Sequence, residues 1–391
     1  MSRSTDDRVP FHRPSLGIEE EAAVLRVLRS GWLTTAGEAR AFEAEFAAAV
    51  GSAYAISVNS ATSGLHLALE AAGVRAGGRV VTTPYTFTAT AEVIRYLGAD
   101  PVFVDIRGDD LNIDPHGIEQ ALAREERVEA IMPVHFGGYP CAMDRIVSIA
   151  NDHSVPVVED AAHAFPGAFR GKPLGTIGES GVYSFYATKT MTTGEGGMVV
   201  TDNPDWARRM TTMRLHGIDR EVWDRYTADR ASWEYEVVEA GFKYNMPDIL
   251  AAIGREQLRK ARGFLEARRR IAEAYRVLLE DCDYLELPPC CRDSSCHLYV
   301  IRLRLERLSI DRREFIDRLA ALGVGTSVHY MPLHLMPYYR NRYGLKPHDF
   351  PVSLDVYSRS ISLPIYPGLS DDQVARVAEA VRQVGDGAHG S

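Results

Sequence analysis

The chain has 391 residues, of which 46% are hydrophobic and 25% charged, and its formal net charge is −9. These proportions are ordinary for a globular protein, and the negative charge gives no general attraction for nucleic acid or an anionic membrane. No apolar run reaches the roughly 18 residues of a membrane span, and the first residues lack the apolar core of a signal peptide. We therefore expect a cytoplasmic protein.

Short apolar segments alternate with helical patterns between residues 55 and 201, which is typical of βαβ units with buried strands. An Arg-rich helical stretch follows residue 243, and it leads to an alternating strand and a final helix with a capping box at Ser370 and Gln373. We predict an α/β fold: a large, mainly parallel sheet domain over residues 1–250, with an N-terminal helix segment, and a smaller C-terminal α+β domain over residues 251–391. The predicted strands are Ala55–Val58, Val80–Thr83, Pro101–Val104, Ala130–Val134, Val155–Glu159, Gly181–Phe185, Gly197–Thr201 and Leu298–Leu303.

Two candidate binding segments follow the first two strands. Asn59-Ser60-Ala61-Thr62-Ser63-Gly64 starts a helical pattern, where free backbone N–H groups and hydroxyls can bind a phosphate. The alternative is an ordinary helix N-cap. Phe87 lies in the segment after the second strand and can stack on a ligand ring, the alternative being a core aromatic residue.

An acidic pair ends the predicted strand Val155–Glu159. Neighbouring strand residues point to opposite faces, so we choose Asp160 to pair with the protonated pyridine nitrogen of pyridoxal phosphate, and we expect Glu159 to point away. The alternative makes both carboxylates a solvated strand end. His163, three residues further on, can reach the phenolic oxygen of the same cofactor or be a structural histidine.

A lysine follows the strand Gly181–Phe185, in Ser184-Phe185-Tyr186-Ala187-Thr188-Lys189, and faces the glycine-rich turn Gly194-Glu195-Gly196-Gly197. A desolvated lysine beside another cationic group loses its proton and can form a Schiff base with an aldehyde. A surface cation is the alternative for Lys189 taken alone. All four segments lie at the carboxyl ends of predicted strands, where α/β sheets bind ligands, and together they predict a pyridoxal-phosphate site.

We assign no catalytic or binding role to two other clusters of residues. Cys290, Cys291 and Cys296 crowd beside His297, but their spacing matches no standard zinc pattern, so we expect a connecting segment and no metal. The basic residues of the helical stretch are expected to form a solvated or subunit-facing surface rather than a phosphate patch. They are Arg259, Lys260, Arg262, Arg268, Arg269 and Arg270.

Ordered motifs along nearly the whole chain resemble the fold type I sugar aminotransferases of the DegT and StrS type. Besides the four segments, the matching motifs are Ser30-Gly31-Trp32-Leu33-Thr34-Thr35-Ala36-Gly37, Gly241-Phe242-Lys243-Tyr244-Asn245-Met246-Pro247-Asp248, Val328-His329-Tyr330-Met331-Pro332-Leu333-His334 and Ser362-Leu363-Pro364. The resemblance implies pyridoxal 5'-phosphate bound to Lys189, L-glutamate as amino donor, and a homodimer with composite active sites. It also places the pyridine partner at Asp160, the phosphate hydroxyls at Thr62, Ser63 and Ser184, the stacking ring at Phe87, and the residue beside the phenolic oxygen at His163.

The segment after residue 240 departs from the common family form, in which an Asn reaches the phosphate in the neighbouring subunit. Lys243 stands where Asn is common and Asn245 where Arg is common, as in a subgroup similar to the branch that makes UDP-4-amino-4-deoxy-L-arabinose. Alternating residues share a strand face, so either one can reach that phosphate. The resemblance places the substrate pocket at Trp32, Thr34, Thr35, His329 and Tyr330.

These motifs together predict a two-stage transfer, in which glutamate converts the cofactor to its pyridoxamine form and leaves as 2-oxoglutarate, and a keto sugar then takes the amine. Lys189 serves as the general acid and base in both stages. We expect a nucleotide-diphosphate sugar, UDP-linked and aminated at carbon 4, in cell-surface polysaccharide or secondary-metabolite biosynthesis. The alternatives are a pyridoxal-phosphate-dependent sugar dehydratase and a non-catalytic regulatory relative of the same fold.

Overall fold

A large sheet of seven strands carries the first half of the molecule in the computed structural model, which describes residues 8–219, 235–290 and 292–389. Its strands are β1 Tyr54–Val58, β2 Arg79–Thr82, β3 Asp100–Phe103, β4 Val128–Ile131, β5 Val158–Asp160, β8 Ser180–Ser184 and β9 Gly197–Thr201, and a separate hairpin consists of β6 Ala168–Phe169 and β7 Lys172–Pro173. Strands β3, β2 and β4 pair in parallel, as do β5 and β8, whereas β9 is antiparallel to both β8 and β1. Parallel bridges from Ile131 to Val157 and from Val134 to Asp160 join the two groups. The predicted α/β fold with a mainly parallel sheet is confirmed.

Helix α3, Ala61–Ala71, packs closely on the sheet, and its first turn lies at the carboxyl ends of the strands. Gly64 makes this approach possible, since a Cβ added there would lie 2.7 Å from Cγ1 of Val182 and 3.0 Å from Cγ2 of Val199. Ser60 caps the helix by accepting the N–H of Ser63. The helices of this part are α1 Ile18–Ser30, α2 Gly37–Val50, α3 Ala61–Ala71, α4 Thr88–Tyr96, α5 Pro115–Arg124, α6 Met143–His153 and α7 Pro204–Met213.

The C-terminal part is built on an antiparallel sheet in the order β10 Leu285–Glu286, β11 Tyr299–Leu303 and β12 Ser360–Leu363. The predicted capping box is present, because Ser370 and Gln373 each accept the other's backbone N–H. Val374, Val377 and Val381, on the helix that this box begins, are buried in one core with β11 and β12. The helices of this part are α8 Asp248–Leu279, α9 Arg312–Ala321, α10 Pro337–Tyr343, α11 Pro351–Arg359 and α12 Asp371–Asp386.

Helix α8 continues unbroken through residue 250, so the predicted domain boundary there stays a prediction. Its basic residues differ in environment. Arg259 and Arg262 are exposed, as expected, but the expectation is wrong for Arg268, which is only 1% exposed. The Arg268 guanidinium donates to the carbonyl oxygen of Ile365 at 2.8 Å, because this helix face turns toward the C-terminal sheet. No helix among the described residues is both long and apolar enough to cross a membrane.

Candidate active site

A cavity of about 600 Å³ opens at the carboxyl ends of the strands. Its walls come from the start of α3, the segment after β2, the ends of β5 and β8, and residues 327–330. The structure therefore brings together residues from distant parts of the sequence. The predicted site residues that line the cavity are Thr62, Phe87, Asp160, His163, Ser184, Lys189, His329 and Tyr330.

Asp160 presents a buried carboxylate to this cavity. One oxygen accepts the hydroxyl of Thr90 at 2.8 Å, and the other accepts the backbone N–H of Ala162 at 3.1 Å. Burial raises the pKa of Asp160, because it removes water from the charged form. A cation placed in the cavity would offset that cost, so this carboxylate is suited to a positively charged ring nitrogen.

Glu159 points to the opposite face of β5, as strand alternation predicts, and its side chain is fully buried. Its carboxylate accepts Nε2–H of His135 at 2.8 Å and the backbone N–H groups of Gly175, Ile177 and Gly178 at 2.6–2.9 Å. The alternative of a solvated strand end is therefore wrong for both acidic residues. Glu159 anchors the end of the strand that carries Asp160.

Lys189 lies in a tight turn, in which its backbone N–H donates to the carbonyl oxygen of Tyr186 at 2.9 Å. Burial lowers the pKa of Lys189 to about 8, and the negative charge of Asp160 raises it again in part. Lys189 therefore becomes a free amine, the form that attacks an aldehyde, at a lower pH than an ordinary lysine does.

His163 has a defined hydrogen-bonding arrangement. The backbone N–H of Gly137 donates to Nδ1 at 3.2 Å, and Nε2 lies 3.0 Å from the hydroxyl oxygen of Tyr330. Burial and the nearby Lys189 charge lower the pKa of His163 well below its usual value, so the ring is neutral. Since Nδ1 accepts, the single ring proton lies on Nε2, and this nitrogen is the hydrogen-bond donor of the ring.

The first turn of α3 supplies the end of the cavity that suits an anion. The N–H groups of Ala61 and Thr62 have no partner within the helix, and both residues line the cavity. Ser63 is engaged elsewhere: its hydroxyl donates to Oδ1 of Asn59 at 2.6 Å, and it does not line the cavity. The alternative N-cap is therefore observed, with Ser60 as the cap, and the phosphate role of the segment stays a prediction.

Phe87 and Tyr330 both line the cavity as neighbours, with their ring centroids 6.0 Å apart and their planes tilted by 52°. Phe87 is 58% exposed, so the alternative of a core aromatic residue is wrong. A flat ring between Asp160 and Phe87 would cover this apolar surface.

Besides Ser63, the predicted residues that lie outside the cavity of their own chain are Trp32, Thr34, Thr35, Lys243 and Asn245. Three of them, Thr35, Lys243 and Asn245, form a second group. Asn245 donates its side-chain N–H to Oγ1 of Thr35 at 2.6 Å, and that hydroxyl donates to the carbonyl oxygen of Met246 at 2.5 Å. The Lys243 ammonium donates to Oδ1 of Asn245. Trp32 and Thr34 precede this group and do not line the cavity.

Several residues of the cavity wall had no predicted role. The hydroxyl of Thr90 donates to the carboxylate of Asp160. The sequence does not indicate this role, because Thr90 is one of several threonines in its segment. Phe11 lines the wall from the far N-terminus and packs against the ring of His329, with centroids 5.6 Å apart. Only the tertiary fold brings these residues to the site.

In the cysteine segment Cys290 is exposed and Cys296 is buried, while Cys291 falls outside the described residues. Across residues 8–219, 235–290 and 292–389, no group of three or more His, Cys, Asp or Glu side chains is arranged to hold a metal ion.

Comparison with known proteins gives a consistent result over the whole chain. Residues 14–382 match the model of the DegT/DnrJ/EryC1/StrS aminotransferase family. The chain is 42% identical over 391 residues to the spore coat polysaccharide biosynthesis protein SpsC of Bacillus subtilis, covering 99% of this chain and 100% of that one.

Solved structures show the same similarity in three dimensions. The candidate sugar aminotransferase Spr1654 from Streptococcus pneumoniae, solved in PLP and PMP forms, superimposes with a TM-score of 0.90 at 29% identity, covering 97% of this chain and 99% of that one. PseC of Helicobacter pylori, an aminotransferase of pseudoaminic acid biosynthesis, gives a TM-score of 0.89 at 28% identity, covering 97% of this chain and 100% of that one.

Proposed function

The chain belongs to the DegT/DnrJ/EryC1/StrS aminotransferase family of pyridoxal-phosphate-dependent sugar aminotransferases, and we propose that it transfers the amino group of L-glutamate to carbon 4 of a UDP-linked keto sugar. The observation that carries the proposal is the pairing of Lys189, whose pKa is lowered to about 8, with the buried Asp160 in one cavity. When bound, pyridoxal phosphate supplies an aldehyde and an electron-accepting ring.

The residues of the cavity fit this cofactor from end to end. The first turn of α3 with Thr62, together with Ser184, suits the phosphate. Asp160 suits the protonated pyridine nitrogen, and Nε2–H of His163 suits the phenolic oxygen. Phe87 presents the exposed ring that can cover one face of the cofactor.

Lys189 also has the properties of the proton carrier. Its pKa near 8 lets it both accept and donate a proton at neutral pH, which is what general acid and base catalysis requires. Glutamate gives up its amino group and leaves as 2-oxoglutarate, and the carbonyl oxygen of the sugar leaves as water when the amine replaces it.

The chemistry of the cavity wall favours a sugar over an amino acid's keto acid as the acceptor. No arginine of the described chain lines the cavity, although a guanidinium is the side chain best suited to grip a carboxylate at two points. The wall carries hydroxyl and aromatic groups instead, from Thr86, Tyr186, Ser327, His329 and Tyr330. The choices of UDP and of carbon 4 rest on the motifs Trp32-Leu33-Thr34-Thr35 and Asp160-Ala161-Ala162-His163, which resemble those of enzymes that act on UDP-linked 4-keto sugars.

The second group of residues motivates a homodimer with shared sites. Thr35 and Lys243 lie outside the cavity of their own chain, while Phe87 and Tyr186 at its mouth are 58% and 46% exposed. Asn245 already binds Thr35 and Lys243, so we assign the contact with the neighbouring cofactor's phosphate to the exposed ammonium of Lys243. Trp32, Thr34 and Thr35 would then serve substrate recognition next to that contact.

The reverse half-reaction tests the acceptor. Enzyme loaded with pyridoxal phosphate is mixed with UDP-4-amino sugars, dTDP-amino sugars or common amino acids, and the loss of the cofactor's visible absorbance is followed. We expect UDP-4-amino sugars to react fastest. Fast reaction with dTDP-amino sugars alone would correct the nucleotide, and efficient reaction with alanine or aspartate but with no sugar nucleotide would overturn the sugar assignment. A panel of amino donors with the keto sugar tests glutamate in the same way.

A further inference from the structure

An N-terminal segment, residues 8–17, crosses from the C-terminal part of the molecule to the turn that carries Lys189. We call this segment the N-terminal strap. Val9 is 1% exposed and pairs with the stretch around Val324: its N–H donates to the carbonyl oxygen of Gly323 at 2.9 Å, and its carbonyl oxygen accepts the N–H of Gly325 at 2.8 Å. One end of the strap is thus fixed beside the small sheet.

Phe11 and His12 of the strap contact different parts of the site. Phe11 lines the cavity and packs on His329, whereas His12 donates Nε2–H to the carbonyl oxygen of Ala187 at 2.9 Å. Ala187 lies within the turn that the bond from Lys189 N–H to the Tyr186 carbonyl oxygen closes. The carbonyl of Ala187 takes no part in closing the turn, so the His12 bond adds a separate constraint on its orientation.

His12 is suited to a constant role as donor. Burial and the charge of Arg268 lower its pKa to about 4, so the ring is neutral across the range in which the enzyme works. Because the carbonyl oxygen of Ala187 can only accept, the ring proton lies on Nε2. The contact therefore does not depend on a change of protonation.

We propose that His12 is a positioning residue for Lys189: the strap holds the turn 186–189 through the carbonyl of Ala187 and thereby fixes the lysine relative to the part of the molecule that carries His329. This inference concerns the reacting lysine and does not depend on which sugar or amino donor is used. Its physical basis is that misplacing a reacting group by about 1 Å can cost roughly 100-fold in rate.

The test compares three full-length variants with the unaltered protein. His12→Phe keeps an aromatic ring but removes the donor, His12→Gln keeps a donor of similar reach, and Arg13→Gln changes the exposed neighbour as a matched control. Each apoprotein is mixed with pyridoxal phosphate, samples are reduced with borohydride, and mass spectrometry follows the label at Lys189. Melting temperature, kcat and KM are measured alongside.

We expect His12→Phe to slow labelling of Lys189 and to lower kcat by roughly 10- to 100-fold, with KM for the sugar nearly unchanged. His12→Gln should recover most of both rates, and Arg13→Gln should match the unaltered protein. Unaltered labelling and kcat in His12→Phe would overturn the proposal, as would equal losses in His12→Phe and His12→Gln that follow a drop in melting temperature.

If His12→Phe does not fold, His12→Ala replaces it, with and without added imidazole. Recovery of the labelling rate by imidazole would support the role of the donor. Failure of imidazole to recover it, in a protein that melts at the temperature of the unaltered one, would overturn it.

Discussion

Gly137 donates its backbone N–H to Nδ1 of His163, and this bond of 3.2 Å determines which ring nitrogen carries the proton. Nε2 is left as a donor, and the hydroxyl oxygen of Tyr330 lies 3.0 Å from it. A donor at this place can stabilise a phenolate oxygen, whereas a bare ring nitrogen would repel it.

The first prediction follows from this arrangement. His163→Gln keeps an N–H donor and should retain most of the activity, whereas His163→Leu should lower kcat by roughly 10- to 100-fold, the value of a hydrogen bond to a charged group. Steady-state kinetics and the visible spectrum of the loaded enzyme measure both effects. Equal activity in the two variants would show that the donor at residue 163 is not needed.

The second prediction concerns the titration of Lys189. Its pKa is lowered to about 8, so the free amine predominates above pH 8 and the ammonium below it. The rate at which the apoprotein condenses with an added aldehyde should rise with pH up to about 8 and then level off, instead of rising toward 10.5. Lys189→Ala is the control, since it should lose this labelling together with turnover.

Asp160→Asn gives a third prediction. The substitution keeps the shape but removes the charge proposed to hold the pyridine nitrogen protonated, so kcat should fall at least about 100-fold, as when a preorganised electrostatic contact is lost. Thr90→Ser keeps the hydroxyl that donates to Asp160 and should have little effect. Near-normal turnover in Asp160→Asn would remove the carboxylate from the proposed mechanism.

Glu159→Gln gives a fourth prediction, for stability rather than chemistry. The new amide would place N–H groups among donors that now point at a carboxylate, namely His135 and three backbone amides. We expect the free energy of unfolding to fall by about 3 kcal/mol, which urea denaturation can measure. Glu179→Gln is the control and should cost less, because Glu179 is exposed and its carboxylate accepts one such bond, from the backbone N–H of Val157. A loss below that of the control would mean that the charge of Glu159 is not required.

The fifth prediction tests the shared site. Lys189→Ala and Lys243→Ala proteins are each inactive in the proposed dimer, but refolding them together should give some hybrid dimers in which one site is intact. Activity should reach up to about a quarter of the unaltered level if the subunits mix at random and half of the dimers are hybrids with one active site of two. Mixing Lys189→Ala with itself is the control. Confirmed hybrids without activity would place Lys243 in its own subunit's site.

The sequence predicts those parts of the site that depend on local pattern. Asp160 ends one apolar strand and Lys189 lies five residues after the end of another, so their place at one sheet edge follows from the βαβ order. Thr90 and Phe11 could not be found in this way, because a hydroxyl and an aromatic ring have common structural uses and only tertiary packing brings them to the cavity. The prediction of an exposed Arg268 is wrong, because the presence of six basic residues between 259 and 270 does not reveal which of them turns toward the core.

The close packing of Gly64 against Val182 and Val199 has a consequence for genetic screens. A methyl group at this position would push the whole of α3 outward, and the first turn of the helix would move with it. The altered protein would then need more pyridoxal phosphate to become loaded, although the altered residue lies on the side of the helix that faces the sheet. A screen of variants for weakened cofactor loading should therefore recover substitutions of Gly64 alongside those of the residues proposed to bind the phosphate.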